Sequence, residues 1–183
     1  VYAVKARTGE LVWTFKLSKR GINSSPVVVG NRVYIGHGEE NIDEANMGRF
    51  VCIDATGTGD VTDTHEVWRS EVGIGYSSPL IKDGRLYLVT NSANLVALDA
   101  NSGETKWEYS LGTVGKASAV WADGKIYVPE LNGKFHILKP GDASCESLGV
   151  TEIKINEERG AEIYASPAIA YGRVYFPTEE GMY

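Results

Sequence analysis

Short apolar runs alternate with turn residues along the whole chain, and no stretch keeps a 3.6-residue apolar period. The runs are rich in β-branched and aromatic residues, as in Val27-Val28-Val29, Leu86-Tyr87-Leu88-Val89 and Leu95-Val96-Ala97-Leu98. Bounded by Gly, Asp and Asn, they read as β-strands joined by tight turns.

The strands recur in a fixed order. Ser25-Pro26, Ser78-Pro79 and Ser166-Pro167 open three copies and Ser118-Ala119 opens a fourth. Tyr34, Tyr87, Tyr127 and Tyr175 each stand nine residues after their serine. The turns before them read Gly30-Asn31, Asp83-Gly84, Asp123-Gly124 and Tyr171-Gly172, and Asp-Gly between apolar runs is a strong hairpin signal. A cation follows each turn: Arg32, Arg85, Lys125 and Arg173. Solvated strand edges that discourage sheet-to-sheet association are the expected role of these cations.

The second half of the repeat is clearest from Leu95 to Trp107. Val1 to Trp13 repeats it, and Phe50 to Trp68 repeats it with extra residues in the turn. Phe135 to Gly141 is a further copy that no tryptophan closes. Asp54 and Asp99 can bond their own following backbone. Lys5 and Lys139 stand in their place elsewhere, so those two turns should be less firmly fixed.

The equivalent positions Val1, Phe50, Leu95, Phe135 and Tyr183 are spaced 49, 45, 40 and 48 residues apart. A four-stranded antiparallel unit of that length is the signature of a β-propeller blade, which must stack on neighbours to bury both faces. The expected architecture is all-β: one partial propeller over residues 1–183, about four blades' worth, starting and ending in mid-blade. Its strand inventory would be two, four, four, four and two. Val1 stands where an initiator methionine would, which favours part of a larger ring. A four-bladed ring closed by pairing the terminal half-blades is the alternative. Open blade edges would also permit self-association.

Composition narrows the classes. Of 183 residues, 43% are hydrophobic and 23% charged, the balance of a folded chain. Lys plus Arg is 18 and Asp plus Glu 24, so the formal charge is −6, which disfavours nucleic acid as a partner. No apolar run approaches the roughly 20 residues of a membrane-spanning helix. No signal peptide is visible within the chain. Cys52 lies in an apolar run and reads as a small core residue. Cys145 lies in a polar stretch and reads as a free thiol, so a bridge between the two is not expected.

The second copy carries the most unusual chemistry. Its added segment, His37 to Gly48, holds Glu39, Glu40, Asp43 and Glu44, and its next turn runs from Asp54 to Asp63. Oxygen-rich loops can hold calcium. The EF-hand glycine and final glutamate are missing, so ordinary solvated loops are the expectation. His37, His65 and His136 have no zinc-type spacing. There is no nucleophile elbow or phosphate loop. The Ser-Pro steps read as structural, and Thr178-Glu179-Glu180 as a turn. No catalytic residue, no cofactor-binding residue and no metal ligand is assigned.

The pattern Ala97-x-Asp99-x-x-x-Gly103-x-x-x-Trp107 resembles the tryptophan-docking motif of the pyrroloquinoline-quinone-repeat (quinoprotein-like) β-propeller family. The resemblance covers nearly the whole chain. It implies that Trp13, Trp68 and Trp107 pack between adjacent blades, in rings that commonly have seven or eight. Trp121 is outside the motif and is expected in the core, with the central channel as the alternative. The resemblance also implies an exported protein, periplasmic or extracellular. Two family uses stand open. One is a non-enzymatic scaffold, similar to the propeller of bacterial outer-membrane assembly, binding other proteins or a small ligand through its loops. The other is a quinone-dependent alcohol-type dehydrogenase. There the quinone stacks on a tryptophan beneath a disulfide of adjacent cysteines, and calcium is held by Glu, Asn and Asp. This chain has no adjacent cysteines and no residue that matches those ligands, so the scaffold reading leads.

Overall fold

The computed structural model describes residues 1–183. The chain forms nineteen strands. They are β1 (Tyr2–Val4), β2 (Leu11–Thr14), β3 (Val27–Val29), β4 (Arg32–Glu40), β5 (Met47–Asp54), β6 (Gly59–Asp60) and β7 (Glu66–Ser70). Next come β8 (Leu80–Lys82), β9 (Arg85–Val89), β10 (Asn94–Asp99), β11 (Thr105–Ser110), β12 (Val120–Ala122), β13 (Lys125–Pro129), β14 (Lys134–Pro140) and β15 (Cys145–Glu152). The last are β16 (Ala168–Ala170), β17 (Arg173–Tyr175), β18 (Pro177–Thr178) and β19 (Gly181–Met182).

Three complete blades follow one another: β3-β4-β5-β7, β8-β9-β10-β11 and β12-β13-β14-β15, each antiparallel. The first half-blade, β1-β2, carries an added strand that the sequence did not announce. From the enlarged turn of the second copy, β6 reaches across and pairs in parallel with β2, and Val61 beside it is buried. The first sheet therefore has three strands instead of two, and its outer edge is covered. In the last half-blade the second strand breaks at Phe176 into β17 and β18. β1 pairs with β2 and β16 with β17, in separate sheets, so the two half-blades do not close a four-bladed ring.

Local chemistry accounts for the hairpins. Asp83-Gly84, Asp123-Gly124 and Tyr171-Gly172 all have positive φ at both positions, as a type I′ turn requires. At Gly30-Asn31 only the glycine does. Two of the cations that follow are more engaged than solvated edges, while Arg173 is exposed as expected. Arg85 donates to the Asp142 carbonyl of the next blade at 3.0 Å, and Arg32 lies on the Cys52 sulfur.

The seams between blades repeat one contact. The indole N–H of Trp13 donates to the Ala55 carbonyl at 3.2 Å, that of Trp68 to Ala100 at 3.1 Å and that of Trp107 to Gly141 at 3.0 Å. Each acceptor lies in the turn of the next blade. All four outer strand pairs also shift register at the same place, after Ala3, Cys52, Ala97 and Ile137. The residues opposite these four are Trp13, Trp68, Trp107 and Gly149. A bulge re-aims the side chain beside it, here the indole. In the fourth blade Gly149 stands where the others have tryptophan, and its seam is built from Phe135, Ile163 and Phe176.

A second repeated contact links the inner strands. The N–H of Ser25 donates to Ser78 Oγ at 2.9 Å, that of Ser78 to Ser118 Oγ at 2.7 Å and that of Ser118 to Ser166 Oγ at 2.9 Å. The repeated serines are thus structural ties from blade to blade. Trp121 sits half-buried against Tyr87, ring centroids 6.0 Å apart, at the seam of the third and fourth blades. Cys52 is buried in β5, and both cysteines are free. Cys145 lies half-buried in β15 beside the core, where burial pushes its thiol up to about 11.

Candidate functional site

Strand alternation brings the β4–β5, β9–β10 and β13–β14 connections to one end of the blades, with the β2–β3, β7–β8, β11–β12 and β15–β16 crossings. This end carries the chain's unusual polar residues. The segment expected as a loop from His37 to Gly48 is mostly strand. β4 continues to Glu40 and β5 begins at Met47, so only 41–46 is loop. His37 is a buried strand residue facing Arg49 across the ladder, not a loop histidine. Its Nδ1 accepts the Glu39 N–H at 3.2 Å, while Nε2 has no protein partner.

Three of the four carboxylates here, Glu40, Asp43 and Glu44, are already committed to arginines. Arg49 is 2% exposed; its guanidinium meets Asp43 at 2.6 Å and Glu44 at 3.1 Å. Asp43 also binds Arg69 at 2.9 Å. Partial burial raises the Asp43 carboxyl, but its bonds to Arg69 and Arg49 outweigh that and hold it below its usual value. Glu40 pairs with Arg20 at 3.6 Å. Gly48 then packs directly on Gly73, where a built Cβ would lie 2.7 Å from the Gly73 Cα. The hairpin end is thereby fixed onto the β7–β8 crossing.

The Asp54 to Asp63 turn spends its carboxylates on itself. Asp54 accepts the N–H and hydroxyl of Thr56, and Asp60 those of Thr62. The Thr62 hydroxyl and Lys16 bring the Asp60 carboxyl down to about 2. Asp99 likewise accepts the Asn101 and Ser102 N–H groups. The turn at Lys5 keeps the Gly9 N–H to Lys5 carbonyl bond at 2.8 Å but lacks those two.

Several residues of this face were not singled out by the sequence reading. Asn23, Tyr76, Lys116 and Tyr164 each stand two positions before a repeated serine. Lys116 Nζ lies 3.8 Å from the centroid of the Tyr76 ring, a cation–π pair. The Tyr164 hydroxyl donates to Glu162 at 2.8 Å. Tyr76 is 53% exposed, and Met47, at the start of β5, is 61% exposed. The readable clue was variation at a fixed repeat position next to an unvarying serine.

Glu130 is buried at the end of β13. Its Oε1 accepts the Thr113 N–H at 2.6 Å and Asn132 Nδ2 at 3.1 Å, and its Oε2 has no protein partner. His136 is buried with neither ring nitrogen bonded. Thr178 to Gly181 is the expected turn, with Glu179 bonded to Arg159 at 2.6 Å.

Cys52 and Cys145 lie in different blades. Trp13, Trp68 and Trp107 are spent on the seams, and no group of three or more His, Cys, Asp or Glu side chains is placed to hold a metal ion.

Comparison with known proteins agrees with the architecture. The family described as outer membrane protein assembly factor BamB matches residues 1–183. BamB of Yersinia pestis is 25% identical over 142 residues, covering 75% of this chain and 35% of its own length. The dehydrogenase subunit of the quinone alcohol dehydrogenase of Gluconobacter oxydans is 26% identical over 144 residues, covering 69% of this chain and 19% of its own length. This chain thus spans about a third or less of those relatives. Among solved structures, BamB from Moraxella catarrhalis superposes with a TM-score of 0.68 at 18% identity, covering 93% of this chain and 47% of that one. A quinohemoprotein alcohol dehydrogenase from Pseudomonas putida gives 0.67 at 14% identity, covering 92% and 30%. At those identities the superpositions speak for the fold alone.

Proposed function

The chain belongs to the family of outer membrane protein assembly factor BamB; on that premise we propose that it is a non-enzymatic propeller that binds other proteins through its loop face. The observation that carries this is the β4–β5 hairpin end. Arg49 and Arg69 hold it by ion pairs and the Gly48–Gly73 approach fixes it, so it presents exposed Met47 on a rigid support, at the same end of the blades as the Tyr76–Lys116 pair. Tyrosine and methionine are enriched where proteins meet, and a fixed loop binds with little ordering cost. The same reading places the protein outside the cytoplasm, with the bacterial outer-membrane assembly machinery as the partner. It assigns this chain no catalytic step and no bound cofactor.

Surface plasmon resonance against the purified assembly machinery of a relative such as Yersinia pestis tests it. Saturable binding is expected, with Met47→Ala and Tyr76→Ala each weakening it about tenfold, as central interface side chains do, at unchanged melting temperature. Saturable binding of pyrroloquinoline quinone with calcium, accompanied by alcohol oxidation, would instead establish the dehydrogenase reading.

A further inference from the structure

The third and fourth blades meet at a seam that departs from the one before it. The difference lies at the end of the blades opposite the β4–β5 hairpin. There Tyr34 and Trp68 of the second blade both donate to the Ala100 carbonyl of the third. By repeat position Tyr87, Trp107 and Pro140 are the equivalents of Tyr34, Trp68 and Ala100. Trp107 donates one residue further on, to Gly141, and the Tyr87 hydroxyl has no hydrogen bond. The turn is the cause. Asp99 closes its turn by accepting two N–H groups, and Lys139 in its place has no acceptor to offer. Strand β14 therefore runs on to Pro140, which pairs with Cys145, and the turn moves to 141–144.

Two further changes fall at the same place. Trp121 stands where the inner strands of the second and third blades have Val28 and Ile81, and its ring packs on Tyr87. Arg85 reaches across to the Asp142 carbonyl, whereas its equivalent Arg32 stays on Cys52 of its own blade. Between these residues lies a cleft of about 230 Å³, lined by Lys82, Arg85, Tyr87, Trp121 and Gly141 among others. It belongs to two complete blades, and no residue of either half-blade lines it.

The uncommitted polar groups around this cleft are donors. Neither the Tyr87 hydroxyl nor the Trp121 indole has a hydrogen bond. The Arg85 side chain is 20% exposed and makes one hydrogen bond, with the Asp142 carboxylate no nearer than 3.7 Å. A guanidinium has five N–H groups, so most of those on Arg85 are free. Burial pushes the Tyr87 hydroxyl up from its usual value and the Arg85 charge acts against that, so the two groups share one neighbourhood. The Asp83 and Asp142 carboxylates at the rim are mostly or fully exposed, where water screens their charge. A carboxylate suits this donor set, because it can take a guanidinium and a hydroxyl together. Tyr87 and Trp121 add a flat apolar wall. At about 30 Å³ for each water-sized group, 230 Å³ holds about eight non-hydrogen atoms. We propose that the cleft binds a small carboxylate with a flat apolar body, its charge on Arg85 and the Tyr87 hydroxyl and its body along Trp121. This inference does not rest on the protein-binding reading, which concerns the other end of the blades.

Benzoate is the probe, and benzamide is its neutral counterpart of the same shape. The indole N–H signal of Trp121 in ¹⁵N-resolved NMR, assigned with Trp121→Phe, reports on this cleft. Benzoate should shift it saturably with a Kd of about 1 mM, the range open to so small a ligand. Benzamide should bind about tenfold more weakly or worse, for want of the charge on Arg85. Tyr87→Phe removes a hydroxyl that no protein group uses, so the fold is kept, and it should weaken benzoate about tenfold. Arg85→Gln should weaken it by about tenfold or more. A Trp121 signal unmoved by benzoate at about 20 mM would overturn the proposal. Equal binding of benzamide, or wild-type affinity in either variant, would overturn it too.

Discussion

His37 and His136 share a predicament that shapes the acid stability of the protein. Both imidazoles are buried, and burial pushes both below their ordinary value; the Arg49 guanidinium beside His37 adds to the effect there. For His136 the carboxylate of Glu130 opposes the shift without cancelling it. A histidine held neutral when folded takes its proton more readily when unfolded. Its contribution is complete above about pH 6.5 and is lost as pH falls toward the folded value, at no more than about 1.4 kcal/mol per pH unit for each group. The carboxyls of Asp43, Asp54 and Asp99 are held below their usual value and contribute to acid loss only lower down. Urea unfolding should therefore show a loss of stability between pH 6.5 and 5. His37→Phe with His136→Phe should flatten that slope. A wild-type profile already flat to pH 5 would disprove the role of the histidines.

At the scale of the element, the seam is the unit of stability. Gly103 follows the Asp99 turn with φ +75°, and a Cβ built there would lie 2.5 Å from Trp68 Cε3. Gly9 has the same repeat position and φ +71°, yet nothing lies within 4 Å of its Cβ. Gly9→Ala should cost about 1 kcal/mol, the backbone strain alone. Gly103→Ala should cost about 2 to 4 kcal/mol, because the indole must shift as well. Equal losses in denaturant unfolding would show that Trp68 does not rest on that turn. These seams were legible in the sequence because turn, glycine and tryptophan recur at fixed spacing. Strand β6 was not, because its pairing with β2 is a long-range contact that two residues of ordinary composition cannot announce. The extent of β4 was missed for a related reason. Glu39 and Glu40 look like loop residues, but the ladder from His37 to Arg49 and from Glu40 to Met47 carries them into the strand. The burial of Arg49, Glu130 and His136 was not legible either, because it depends on neighbours that only folding brings.

For the whole molecule, blades form a row because every sheet face needs another. Trp13, Trp68 and Trp107 tie the outer strands of successive blades, and the serine ties from Ser25 to Ser166 link the inner ones. The row gathers one set of loops at one end of the blades and carries a half-blade at each of its own ends. Trp121 lies outside the system of ties, half-buried against Tyr87 with no hydrogen bond from its indole. Hydrogen exchange of the four indole N–H groups, followed by ¹⁵N-resolved NMR, therefore tests the account most directly. It predicts three slowly exchanging indoles, assigned to Trp13, Trp68 and Trp107, and one fast one, Trp121. Four indoles exchanging at the same fast rate would contradict it.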